Sequence, residues 1–468
     1  MADATASAPD PGRVLRDIWA GAALEAVASP DVELPVSTDL LPSSFQVGLA
    51  AQASIAAAVS AAGAIYRQRS GANQRVRVAR TAAERECTGY FRFDGEVPTA
   101  WEKFSGLYPT ADGHVRIHAN FDHHRDGVLR LLGLGDAEQT TREDVVRSLA
   151  SWRAEDFETA AAERDLVVAM VRSFDEWDRH PQARATAGAP LVSLTRLDDA
   201  TPLTLPRLEA AERPLAGIRV LELTRILAGP ICGRTLAAYG ADVLLVNSPE
   251  LPNIAAIVDT SRGKRSAHLN LTRAHDSERL RALIGDAHLF VQGYRPGALA
   301  ALGFSPEDVA RIRPGIVYVS LSAYGGAGPW CERRGFDSLV QTATGFNHAE
   351  GVASGSDAPK PLPVQILDFA SGFLMAFGAQ AALLRQASEG GSWHVAVSLA
   401  RTATWLRSLG RRTDGFGTGR PDLDPWLVRY PCSSGELSGM PHAGEFSRTP
   451  AAWTRPSVPP GTHPPAWA

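Results

Sequence analysis

The stretch GIRVLELTRILAGPICGRTLAAYGADVLLV (217–246) decides the fold. A short apolar block, GIRVLEL, leads through the small-residue segment opened by Ala228, Gly229 and Pro230 to a second apolar block, ADVLLV. Short runs of Val, Leu and Ile without polar alternation read as strands buried on both faces, and the segment between them has the length and composition of a helix. The pattern continues toward the C-terminus. RSAHLNL (265–271) predicts a third strand, SERLRALIGDA (277–287) an amphipathic helix, HLFVQGY (288–294) a fourth strand, PEDVARIRPG (306–315) a helix and IVYVSLSAYG (316–325) a fifth strand. Strands alternating with helices specify a parallel sheet covered on both faces. Ligands of such sheets gather at the C-terminal strand ends, so the site is expected in the loops after Leu223, Val246, Val291 and Leu321.

Toward the N-terminus the texture changes. The alanine-rich pattern of 43–68 suits a long, tightly packed helix, RQRSGANQ (67–74) a turn, and RVRVA (75–79) an alternating strand. DGHVRIHANF (112–121) predicts a strand, and 145–181 has the spacing of two amphipathic helices. The Pro- and Thr-containing stretch 186–213 reads as a linker. The expected division is therefore 1–97, a small α+β unit at 98–200, a linker at 201–213, the α/β unit at 214–410 and a Pro/Gly-rich extension at 411–468. One internal repeat cuts across it. AAGAIYRQRSGANQRVRVARTAA (61–83) resembles FGAQAALLRQASEGGSWHVAVSLARTAT (377–404), each a small-residue helix, a glycine turn, an alternating strand and a variant of Ala-Arg-Thr-Ala. Aligned on Arg67 and Arg385, the two copies need a one-residue gap before Val76 and Val395.

With 47 basic and 51 acidic residues the formal charge is −4, which gives no footprint for nucleic acid. The 44% hydrophobic and 21% charged composition over 468 residues is that of a folded chain of several units. Cys87, Cys232, Cys331 and Cys432 are scattered and form no CxxC pair, so neither a zinc ribbon nor a disulfide framework is expected. The N-terminal residues lack a basic segment followed by an apolar core, and the stretch 47–65 is mostly alanine broken by Gln52, Ser54, Ser60 and Gly63. It reads as a buried helix of a cytoplasmic protein rather than a membrane span. No HExxH, GxSxG or P-loop occurs, and no metal is expected.

Seven stretches together resemble the class III coenzyme A transferases, the group of formyl-CoA transferase, carnitine CoA-transferase and α-methylacyl-CoA racemase. They are PLAGIRVLELTRILAGP, YGADVLLVNSP, RGKRSAHLNL, GYRPGALAALGF, VSLSAYGGAGPW, RRGFDSLVQTATGF and LPVQILDFASG, in family order over 214–400. The tail GEFSRTPAAWTRPSVPPGTH (444–463) resembles the family's ending, whereas 410–439 is too short for the small domain usually inserted there. Residues 98–200 resemble that small domain, placed upstream, so the chain resembles a rearranged or degenerate tandem member. The resemblance implies a Rossmann-like large domain with a smaller α+β domain. It also implies that 98–200 packs on 214–400, and that the N-terminal helix lies beside the helix after Ser371. A homodimer acting on an acyl-CoA donor and a carboxylic acid acceptor, without nucleic acid or membrane, is the expected assembly.

The resemblance also assigns roles. Asp368 in ILDFASG stands at the place of the family nucleophile, and a carboxylate there could attack an acyl-CoA thioester to give a mixed anhydride. An Asp at a helix start also serves as an N-cap, the structural alternative. Ungapped counting from Arg67 puts Ala50 at the corresponding place of the first repeat, leaving one active site per chain. Tyr324, Gly325 and Gly326 follow the fifth strand as candidate oxyanion donors; GVASGSDAPKP (351–361) resembles the family's lid. Coenzyme A would meet Arg225, Ala228, Gly229, Pro230, Asn247, Lys264, Arg265, Tyr294 and Arg295, the basic ones toward its phosphates. VNSPELPN after the second strand and Gly293 depart from the family pattern. Phe336 stands where racemases carry a histidine, and cannot move a proton, so transfer is expected over racemization, with Asp337 an orienting carboxylate. His348 reads as a surface or packing residue. A non-catalytic scaffold and CoA-linked lyase or dehydratase chemistry are the alternatives.

Overall fold

Six of the seven strands in the central sheet run parallel, as the buried apolar runs require. The computed structural model describes residues 9–25, 27, 30–209 and 211–468. Across the sheet the strands are Arg265–His268, Asp242–Asn247, Arg219–Leu223, Leu289–Gln292, Val317–Ser322, Trp393–Ser398 and Ser193–Arg196. The first six therefore lie in chain order 3-2-1-4-5-6, which reverses direction between Arg219–Leu223 and Leu289–Gln292. A crevice opens at the carboxyl ends of the strands at such a reversal.

The seventh strand corrects two readings of the sequence. Ser193–Arg196, inside the stretch read as a linker, pairs antiparallel with Trp393–Ser398 and closes the sheet edge. In 145–181, two helices were expected. The structure instead has helices Arg142–Leu149, Ala154–Ala162 and Phe174–Arg179, with the apolar Val168–Met170 as a strand against Val115–Ile117. Val168–Met170 supplies the hydrogen-bonding neighbour that the largely buried strand His114–Ile117 would otherwise lack on that edge. The small unit so formed, with Gly106–Pro109 as its third strand, has its own core around Phe104, Tyr108, Val128, Leu149 and Phe157.

The two halves of the repeat embrace. Helices Val47–Ser70 and Ile366–Glu389 are long and apolar enough to cross a membrane, but both are buried inside the molecule and pack on each other, joined by a Gln380 side chain that donates to the Ala58 carbonyl at 3.1 Å. Alanine, glycine and serine on every face of Val47–Ser70 permit that close burial. Each helix is followed by a strand flanked by one parallel and one antiparallel neighbour. Val76–Val78 lies between Val32–Glu33 and Gly444–Phe446, just as Trp393–Ser398 lies between Val317–Ser322 and Ser193–Arg196. The antiparallel neighbour comes from the other half in each case, so the chain exchanges strands between its halves.

The repeat runs without a gap. Gln46 and Gln365 precede the helices with nearly the same backbone, Gly71 and Gly390 end them, and Val76/Val395 and Arg80/Leu399 keep the same offset. The counterpart of Asp368 is thus Leu49 rather than Ala50, because the matching Arg-Gln pairs sit one position apart on equivalent helix ends.

The 411–468 stretch is woven into the N-terminal part. Leu437–Gly439 pairs with Phe91–Phe93. Buried charges tie the same regions together: Arg234 pairs with Glu86 at 3.3 Å and also with Asp259, and the His442 imidazole lies 3.0 Å from Glu86.

Candidate active site

Asp368 is the third residue of helix Ile366–Glu389, in the turn whose backbone N–H groups have no intrahelical acceptor. It does not cap its own helix. That task falls to Asp337, first residue of helix Asp337–Ala343, whose carboxylate accepts from the Asp368 N–H at 2.8 Å and also from Leu367 and the Gln341 side chain. The two acids are therefore held side by side in the interior. Burial raises Asp337 to about 7, and burial with the neighbouring Asp337 charge pushes Asp368 well above the ordinary aspartate range.

Both acids bind protons more tightly in the folded chain, so their stabilising contribution is complete below 3.8 and is lost as pH rises, for Asp337 through about 7. A reaction needing ionised Asp368 therefore rises with pH. Asp337→Asn removes the like charge and is expected to move the acid limb of the pH–rate profile down by about one unit. An unmoved limb in initial rates measured across the pH range would contradict this coupling.

Two clefts meet at Asp368. The first, about 580 Å³, lies between the 88–102 and 118–120 segments and the large unit, and is walled by Phe91, Trp101, Ile226, Leu227, Phe336 and Phe369. The second, about 360 Å³, opens over the strand reversal and is lined by Arg225, Ala228, Tyr294, Arg295, Arg333 and Arg334, with His123 and His124 opposite. Arg225 donates to the Pro252 carbonyl and its guanidinium stands 5.4 Å from the Phe121 ring centre; Arg295 reaches Asp165 at 3.0 Å.

The remaining candidates lie elsewhere. Lys264 is fully buried, its ammonium 2.8 Å from both Glu222 and the Pro230 carbonyl. Burial lowers its pKa, partly offset by Glu222. Arg265 pairs with Asp242 at 2.8 Å. Neither lines the two clefts, since Lys264 is held by the buried Glu222 and Arg265 by the half-buried Asp242. Asn247 donates to the Thr224 carbonyl at 3.0 Å, and Gly229 is packed so closely on Thr224 that an added Cβ would meet it at 2.5 Å. Tyr324 is buried edge-on against Trp330, and the Gly325 N–H donates to Ser322 at 3.1 Å. Neither Gly325 nor Gly326 lines the two clefts. His348 is exposed on helix Phe346–Ala353 and lines neither cleft.

What the sequence reading missed comes from the upstream unit. His118 stacks on Phe336 at 3.9 Å between ring centres, inclined by 13°, and His124 lies edge-on to the same ring at 6.4 Å. Burial depresses His118 to about 3 and His124 to about 4, so both imidazoles are neutral at physiological pH. The signal was present in DGHVRIHANFDHH (112–124), whose histidines crowd the end of a strand. Only the docking of two distant segments shows that they face Phe336.

Residues 215–411 match CoA-transferase family III. An acyl-CoA transferase of Gibberella moniliformis is 33% identical over 317 residues, covering 63% of this chain and 55% of that protein. The probable fatty acyl-CoA transferase Rv3272 of Mycobacterium tuberculosis is 31% identical over 210 residues, 42% of this chain and 53% of that protein. The succinate–glutarate CoA-transferase of Agrobacterium fabrum is 30% identical over 264 residues, 50% of this chain and 65% of that protein. The chain thus spans between about half and two thirds of the length of these relatives.

Proposed function

We propose, from the match of residues 215–411 to CoA-transferase family III, that the protein is an acyl-CoA:carboxylate CoA-transferase with Asp368 as its nucleophile. The observation that carries this reading is the position of Asp368 where an arginine-lined cleft meets an apolar one. The arginine side suits the phosphates of coenzyme A, and the apolar side suits an acyl group.

In the reaction so read, an ionised Asp368 oxygen attacks the thioester carbonyl. Collapse of the tetrahedral adduct breaks the C–S bond, leaving a mixed anhydride and CoA thiolate. The thiolate attacks the Asp368 carbonyl, releases the first acid and forms an aspartyl-CoA thioester. The acceptor carboxylate attacks that thioester and expels the thiolate again. The thiolate then takes the acceptor's acyl carbon from the second anhydride and frees Asp368. Asp337 orients the nucleophile by accepting from its backbone N–H. Incubation with an acyl-CoA and hydroxylamine tests the reading. A hydroxamate at Asp368, located by mass spectrometry, is expected; none forming while acyl-CoA is consumed would refute it.

Phe336 favours transfer over racemization. The neighbouring His118 imidazole, pushed down to about 3, is too weak a base to take an α-proton at neutral pH. A 2-methylacyl-CoA in heavy water is therefore expected to show no enzyme-dependent deuterium at the α-carbon by NMR or mass spectrometry.

A further inference from the structure

The two clefts that meet at Asp368 differ in the charged groups that line them. The second carries Arg225, Arg295, Arg333 and Arg334. The first has neither lysine nor arginine among its described lining residues; its ionisable carboxyls are Glu102, Asp337 and Asp368. Arg116, whose guanidinium stands 5.1 Å from the Trp101 ring centre and which interacts with Asp337, is not part of that lining. At about 580 Å³ the first cleft falls within the size range of sites that enclose a whole small molecule, far more than a formyl or acetyl group occupies.

We infer that the first cleft receives the acyl body of the substrate and selects neutral, apolar acyl groups against those bearing a second carboxylate. The inference rests on the transferase reading and narrows it. An acyl group such as hexanoyl or benzoyl buries its carbon against Phe91, Trp101, Ile226, Ile254, Val364 and Phe369. A second carboxylate in the same cleft loses water and meets no cation among the lining residues, the arrangement by which sites reject a wrong ligand.

Calorimetric titration of the full chain with CoA, S-hexyl-CoA and S-(5-carboxypentyl)-CoA tests this without requiring turnover. The hexyl thioether is expected to bind at least about tenfold more tightly than its carboxylated counterpart. Equal or tighter binding of the carboxylated analogue overturns the inference. Trp101 is partly exposed, at 37%, so Trp101→Arg can place a cation at the cleft without disturbing the core. That variant is expected to narrow the difference to within about threefold, and a gap left unchanged counts against the assignment of this cleft. Failure of CoA itself to bind would instead strike the transferase reading and this inference with it. Binding of CoA without discrimination between the analogues strikes the selectivity alone.

Discussion

Asp368→Asn is expected to lower acyl transfer by at least about a thousandfold, because this one side-chain carboxylate forms every covalent bond to the enzyme in the proposed cycle. The fold should survive. Asp368 is only 8% exposed, it caps no helix, and the Asp337 carboxylate that accepts its N–H remains in place. Removing one of two adjoining buried acids also removes a repulsion, so the melting temperature should hold or rise. Transfer within tenfold of the parent chain, measured by acyl-CoA formation with circular dichroism as the control for folding, would sink the assignment.

Lys264→Met is expected to cost about 3–5 kcal/mol of stability, since breaking a buried ion pair strands the other charge. Lys264 and Glu222 are both fully buried at 2.8 Å, and Glu222 is so enclosed that a Cβ on Gly233 would overlap its carboxylate. Its pKa is raised by burial and held back by Lys264, so losing the ammonium favours a protonated Glu222. The loss should therefore be larger at high pH than at low. Replacing both residues with apolar ones should recover part of it. Urea unfolding of the two variants checks the order, and a single-variant loss below about 1 kcal/mol would show that the pair is not needed for the fold.

The same lysine shows why sequence and structure divide the work as they do. RGKRSAHLNL marks Lys264 and Arg265 as basic residues near a strand that ends at the expected site, and charge alone suggests a phosphate. Whether a cation is free depends on which carboxylate lies beside it, and Glu222 and Asp242 reach them only through lateral pairing of strands. Arg225 and Arg295, in loops beyond the strand ends, do line a cleft, as their place after apolar runs suggests. The glycines after the fifth strand fail as cleft residues for a like reason: the fold turns that loop toward Gln182 and Thr186.

By itself the sequence determined what depends on local periodicity: the five successive strands from Arg219 to Ser322, the helices between them, the long alanine-rich helix and its repeat, and Asp368 at a helix start. Tertiary structure alone decided which distant segments meet. It drew Ser193–Arg196 out of an apparent linker into the central sheet, and Gly444–Phe446 out of the tail into the N-terminal one. It brought His118 and Trp101 onto the rim of the Asp368 clefts. The physical reason is that a strand's pattern records which of its faces are buried but not the identity of its neighbour. Lateral hydrogen bonding and burial of small-residue helices are satisfied by either half of a repeated chain. The choice between them belongs to the packed whole.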